Sequence, residues 1–284
     1  MQIRRTLGLC VLIALSGACG SAGTDAEPVV VEVSEPADRD VVYGAAGSSS
    51  SPALDVWAPP GADGAPVMVL LDGAPPARTA TEPMAIALAN KGFLVINADW
   101  RLNYSLTTGG PYDAACLVRF ARANADQFGG DPNNVSLVGY SAGGSLAALL
   151  ALNGEAITGQ CSQDESLSAV PDSIIGLAGG YEYLVLDSPE PSFGDQIIAD
   201  DPNHWALMNP YEHLDAAEDV SALLIHGASD VIVSVGSTER FAAALAAAGA
   251  DITTHVLPDV GHALTQGAPL DTIVDQIDAW VIRD

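Results

Sequence analysis

At 284 residues the chain can bury a substantial core, as one large α/β domain or as two small ones. Its 36 acidic residues against 10 basic ones give a formal net charge of −26. That balance argues against nucleic acid and anionic membrane faces as partners; it reads as a solvated acidic surface that need bind nothing.

In chain order, residues 1–18 read as a targeting segment outside the core. "MQIRR" is basic, and "TLGLCVLIALSGA" is apolar but too short and too near the start for an ordinary spanning helix. "LSGAC" resembles the lipobox of bacterial lipoproteins, with Ser16 where that motif usually has Leu. The resemblance implies a lipid on Cys19; the plainer reading is a secretory peptide cut near Cys19. Both readings expect export, either to a lipid anchor at the bacterial cell envelope or to the medium. Losing residues 1–18 would remove Arg4 and Arg5 and no acid, with Lys91 the one lysine left. Residues 19–28 are small and polar, as a tether is, and 29–284 are left for the folded domain.

"VVVEV" (29–33) and "DVVYG" (40–44) read as early strands, followed by a flexible turn at "AAGSSSSP" and a strand in "ALDVWAP" (53–59). Apolar strand runs then fall at 67–71, 93–98, 135–139, 174–178, 222–226 and 252–257, with helical stretches at 82–90, 112–127, 142–152, 237–248 and 270–282 between and after them. This alternation indicates a parallel sheet covered on both faces, with neither a repeat nor a second domain. Residues 181–215 break the pattern and read as an irregular insertion over one end of the sheet. Their Tyr181, Tyr183, Phe193 and Trp205 either shape a pocket or pack a cap. With Cys10 and Cys19 assigned to the leader, Cys116 and Cys161 remain, either as a disulfide in an oxidising compartment or as two buried thiols. Neither has the neighbours of a redox or zinc motif.

The chemistry concentrates in "VSLVGYSAGGSLAALLAL", where a strand runs into Gly139-Tyr140-Ser141-Ala142-Gly143 and then a helix. G-x-S-x-G in that context holds a serine hydroxyl outward on a sharp turn, with the Ala142 N–H and the helix N-terminus beside it. Serine needs a base, and the base needs an acid to orient it. "LLIHGASD" places Asp230 after one strand, and "LPDVGHAL" places His262 after the next. The order Ser141, Asp230, His262 at successive strand ends suits a nucleophile, acid and base. His226 ends a strand and reads as a local packing or hydrogen-bonding residue. His204, His213 and His255 read as surface or cap residues, and Asp259 lies too close along the chain to His262 to orient it.

The segment "DAACLVRFARANADQFGGDPNNVSLVGYSAGGSLAALLAL" resembles the α/β-hydrolase carboxylesterases, both the type-B and the hormone-sensitive-lipase-like groups. "ADWRLNYS" is similar to their D-Y-R-L stretch, with Trp100 for the usual Tyr, and the likeness spans roughly residues 40 to 282. It implies an α/β-hydrolase fold with a mostly parallel sheet of about eight strands. It also implies hydrolysis of a small-molecule carboxylic ester through an acyl-enzyme, without metal or organic cofactor. "FGGDP", Arg101 and Asp113 read as scaffold.

Where these esterases usually have His-Gly-Gly-Gly to bind the oxyanion, this chain has Asp72-Gly73-Ala74-Pro75. Pro75 has no N–H, so Gly73 and Ala74 are the donors expected to join Ala142. Losing one donor can cost about 2.7–4 kcal/mol of transition-state stabilisation. An Asp72 carboxylate aimed at the site would oppose an oxyanion, so it is expected to turn away and accept hydrogen bonds from its own loop. Two further readings stay open: a peptidase or amidase on the same scaffold, and a lipid-anchored binding protein that has lost turnover.

Overall fold

The computed structural model describes residues 32–44, 52–102, 109–158, 161–182 and 206–282. The leader at 1–18, the tether with Cys19, the turn at 45–51 and the central part of the 181–215 insertion, with Tyr183, Phe193, His204 and Trp205, lie outside these residues.

Eight strands form one sheet: β1 (Asp38–Val42), β2 (Ala53–Trp57), β3 (Ala65–Leu71), β4 (Leu94–Ala98), β5 (Gly130–Tyr140), β6 (Ser173–Leu177), β7 (Ser221–Gly227) and β8 (Asp251–Leu257). Their order is β1-β2-β4-β3-β5-β6-β7-β8. β1 and β2 run antiparallel to their neighbours, and every pairing from β4 to β8 is parallel. This is the mostly parallel eight-stranded sheet expected of an α/β-hydrolase fold.

The longer α-helices among the described residues are α1 (Arg78–Asn90), α2 (Gly110–Asn124), α3 (Ala142–Asn153), α4 (Val235–Ala247) and α5 (Leu270–Val281). Successive residues of a strand point to opposite faces, and β3 divides accordingly. Val67, Val69 and Leu71 join Leu146, Phe241 and Leu245 of α3 and α4, whereas Met68 and Leu70 join Met84 and Leu88 of α1 and Ile273 and Ile277 of α5. Both faces are covered, so the central strands are apolar throughout rather than alternating. Residues 142–152 of α3 are all buried, which is why that helix is apolar on every side.

Three expectations need correction. Glu32 and Val33 are not in a strand, and 29–31 lie outside the described residues. The Val33 N–H donates to Asn90 Oδ1 at 2.7 Å and its carbonyl accepts from Asn90 Nδ2 at 3.1 Å, so a side chain occupies its ladder groups. The second early strand occupies Asp38–Val42 rather than 40–44. α1 begins at Arg78, a turn before the expected start at 82, so Pro83 sits inside the helix and leaves one rung unmade.

Cys116 of α2 is disulfide-bonded to Cys161. Arg101 holds the buried Asp113 through Nε and Nη2, at 2.9 and 2.5 Å, the scaffold role expected of both.

Candidate active site

Parallel pairing aligns the carboxyl ends of β3 and β5, with Leu71 opposite Gly139, and of β5 and β6, with Gly139 opposite Gly176. The loops leaving these strands therefore open at one edge. Between β5 and α3, Ser141 has φ 53° and ψ −116°, a conformation L residues rarely adopt. It is held because the Ser141 N–H donates to the Leu177 carbonyl at 2.8 Å, while its own carbonyl accepts from Gly144 N at 3.0 Å. The glycines around it answer to close backbone contacts. A Cβ on Gly139 would lie 2.2 Å from the Gly143 carbonyl oxygen, and one on Gly143 would lie 2.5 Å from that of Leu71. Neither neighbour is a side chain that could swing away.

The structure brings Ser141, His262 and Asp230 together. Ser141 Oγ lies 3.0 Å from His262 Nε2, and His262 Nδ1 lies 2.6 Å from Asp230 Oδ2. With Nδ1–H donating to the carboxylate, Nε2 is free to accept the serine proton. The His262 ring is further framed by Tyr140, whose ring centroid is 5.1 Å away and whose hydroxyl donates to the His262 carbonyl at 3.0 Å.

The Asp230 side chain is fully buried. Burial alone would raise its pKa. The hydrogen bonds from His262 Nδ1 and from the backbone N–H groups of Val233 and Ile232 outweigh that and hold it below the usual carboxylate range. The acid therefore stays ionised where the imidazole needs it.

Ala142 is the first residue of α3, so its N–H has no carbonyl one turn earlier to bond and lies at the Ser141 end of the helix. On the opposite wall Gly73 packs against Ser141: a Cβ there would come within 2.9 Å of Ser141 Cβ. Asp72 is buried, and its carboxylate turns into its own loop, where Ala77 N–H donates at 3.2 Å and the Gly73 N–H also faces it. Its backbone carbonyl accepts from Trp100 Nε1 at 3.1 Å, which explains a tryptophan in "ADWRL".

His213 bonds to Asn153 and the Ala206 carbonyl rather than to Ser141, Asp230 or His262. Sequence reasoning placed His226 as a local hydrogen-bonder and missed its principal partner: Nε2 lies 3.1 Å from Asp230 Oδ2. The four-residue spacing in "HGASD" was the available signal.

A family model described as BD-FAE matches residues 54–245, a span that holds Ser141 and Asp230 and ends before His262. Esterase LipC of Mycobacterium tuberculosis is 26% identical over 62% of this chain and 46% of its own length. Esterase LipQ of the same organism is 26% identical over 86% of this chain and 61% of its own length. The chain thus spans about half the length of the curated relatives it matches. Among solved structures, the propionate-bound thermophilic esterase Est2 of Thermogutta terrifontis superposes with a TM-score of 0.73 at 19% identity, covering 90% of this chain and 95% of that one. The same esterase phosphonylated by sarin superposes with a TM-score of 0.72 at 19% identity, covering 89% and 96%. These structural likenesses concern the fold.

Proposed function

The chain belongs to the BD-FAE family, and from that premise we propose that it is an exported serine hydrolase of carboxylic esters, working through Ser141, His262 and Asp230. The observation that carries the reading is the continuous relay of short contacts from Ser141 Oγ to His262 Nε2 and from His262 Nδ1 to Asp230. The esterase names of its relatives favour an ester over a peptide bond as substrate. Export rests on the basic and apolar pattern of residues 1–18, with Cys19 either lipidated or close to the cleavage point.

In the proposed reaction Ser141 Oγ attacks the ester carbonyl while its proton passes to His262 Nε2. The carbonyl π pair moves onto oxygen, and the N–H groups of Ala142, Gly73 and Ala74 are the proposed donors to that oxyanion. Asp72 competes for the Gly73 N–H, which leaves Ala142 and Ala74 the donors with no such rival. Collapse expels the alcohol, which takes the proton from His262, and leaves Ser141 acylated. Water then attacks the acyl-enzyme, giving its proton to His262, and the second collapse releases the acid and restores Ser141. Asp230 stays ionised throughout, fixing the His262 tautomer and stabilising the imidazolium.

The test is a fluorophosphonate probe on the purified chain, beside p-nitrophenyl esters from acetyl to long acyl. We expect labelling and turnover in the wild type and neither in Ser141→Ala. Folded wild type that takes no label, or label that persists in Ser141→Ala, would refute the reading.

A further inference from the structure

Asp230 carries a second histidine. His226, next to last in β7, lies four residues earlier and is fully buried. Its Nε2 faces two acceptors, Asp230 Oδ2 at 3.1 Å and the Val233 carbonyl at 3.0 Å, and its Nδ1 lies 2.7 Å from Thr238 Oγ1 of α4. Two acceptors at Nε2 fix the proton on that nitrogen, so the Thr238 hydroxyl must donate to Nδ1. Burial lowers the ring's affinity for a second proton and so favours its neutral form.

We infer that His226 is a positioning residue for the acid of the triad: its Nε2–H, with the ring held in place by the Thr238 hydroxyl at Nδ1, donates to Asp230 and sets both the carboxylate's orientation and the charge it offers His262. The inference rests on the triad reading above. Asp230 Oδ1 is taken by the N–H groups of Ile232 at 2.8 Å and Val233 at 3.0 Å, and Oδ2 by His262 at 2.6 Å and His226 at 3.1 Å. Four donors fill the acceptor sites of a carboxylate. Without His226 a fully buried Oδ2 loses one of its two partners, and its negative charge turns more strongly on His262.

Among the described residues, the titratable groups facing Asp230 are His226 from β7 and His262 from the loop after β8, its own loop supplies backbone N–H groups, and α4 touches His226 through the neutral Thr238; His262 in turn faces Asp230, Ser141 and Tyr140. Losing the His226 donor therefore favours the protonated form of His262. The acid limb of the kcat/KM profile should move to higher pH. A histidine that merely packs β7 against α4 would lower stability and leave that limb in place.

Three variants of the full chain separate these cases. Thr238→Val keeps the shape of the site but removes the hydrogen bond that holds the His226 ring at Nδ1 and keeps Nε2 aimed at Asp230. His226→Asn is too short to reach Asp230, whereas His226→Gln carries an amide N–H to the place of Nε2. The readouts are the pH profile with p-nitrophenyl acetate and the low-field proton resonance of the His262–Asp230 hydrogen bond. For His226→Asn we expect kcat to fall roughly ten-fold or more at unchanged KM, with the acid limb moved upward and the resonance shifted. Thr238→Val should show the same changes in smaller measure, and His226→Gln should return towards wild type. A limb and a resonance that stay in place in folded Thr238→Val would overturn the inference, whatever happens to kcat; this variant decides alone if His226→Asn does not fold. Should the wild type hydrolyse no ester, the hydrolase reading fails separately, and the resonance alone decides the role of His226.

Discussion

Asp72 illustrates how one buried side chain holds its own loop at a cost to the stability of the fold. It is 5% exposed, and burial lifts its carboxyl above the usual range, with Asp99 nearby adding to the effect. A proton then binds more tightly to the folded chain than to the unfolded one, so Asp72 withdraws stability as pH rises through the raised value. Asp72→Asn removes that titration and keeps an acceptor for the Ala77 N–H. Its melting temperature should exceed the wild type's at pH 8, and the gain should shrink at pH values low enough to protonate Asp72 in both states. Thermal melts across that range check this; a gain that did not vary with pH would contradict it. That an acid follows strand Val67–Leu71 and turns into its own loop was legible from turn chemistry. That Trp100 donates to its carbonyl was not, because the contact crosses 28 positions of sequence and nothing local to either residue signals it.

At the scale of elements, the disulfide ties α2 to the segment between α3 and β6, across a sequence separation of 45. Arg119 of α2 holds the same segment through the carbonyls of Leu167 at 2.9 Å and Ile157 at 3.3 Å. The native arrangement therefore has a second anchor, and the effect of the disulfide falls mainly on the entropy of the unfolded chain. Replacing Cys116 and Cys161 by Ser should cost about 4 kcal/mol of unfolding free energy on the chain-entropy model, with little change in turnover. Denaturant unfolding of the double variant and of the reduced wild type measures it. The expected strands from 53 onward and the five helices match observed elements to within a few residues, since long apolar runs and helical spacing are local signals. The early strand expected at 29–33 does not include Glu32 and Val33, and α1 starts at Arg78 rather than at 82. In both places a distant side chain or packing surface, here Asn90 and the face of the sheet, overrode a local preference.

For the whole molecule, charge is the dominant surface property. Each Lys or Arg among the described residues already faces an acid or a carbonyl: Arg39 and Arg78 among Glu35, Asp55 and Asp99, Lys91 on Asp275, Arg101 on Asp113, Arg119 on carbonyls, Arg122 on Asp172 and Arg240 on Glu182. The remaining acids of a chain with net charge −26 repel one another without compensation. Raising NaCl from low ionic strength to about 1 M, where the screening length is about 3 Å, should raise the melting temperature. A fall would mean that the ion pairs, not the repulsion, dominate. By itself the sequence determined the strand–helix alternation, the serine turn and the order of Ser141, Asp230 and His262, because each is written in a few neighbouring residues. Only the tertiary structure decided that Ser141 and His262, 121 positions apart, meet at 3.0 Å, and that His226 shares Asp230 with His262. Those contacts depend on which strand ends the sheet brings to one edge, and that is set by packing across the whole core rather than by any local run of residues.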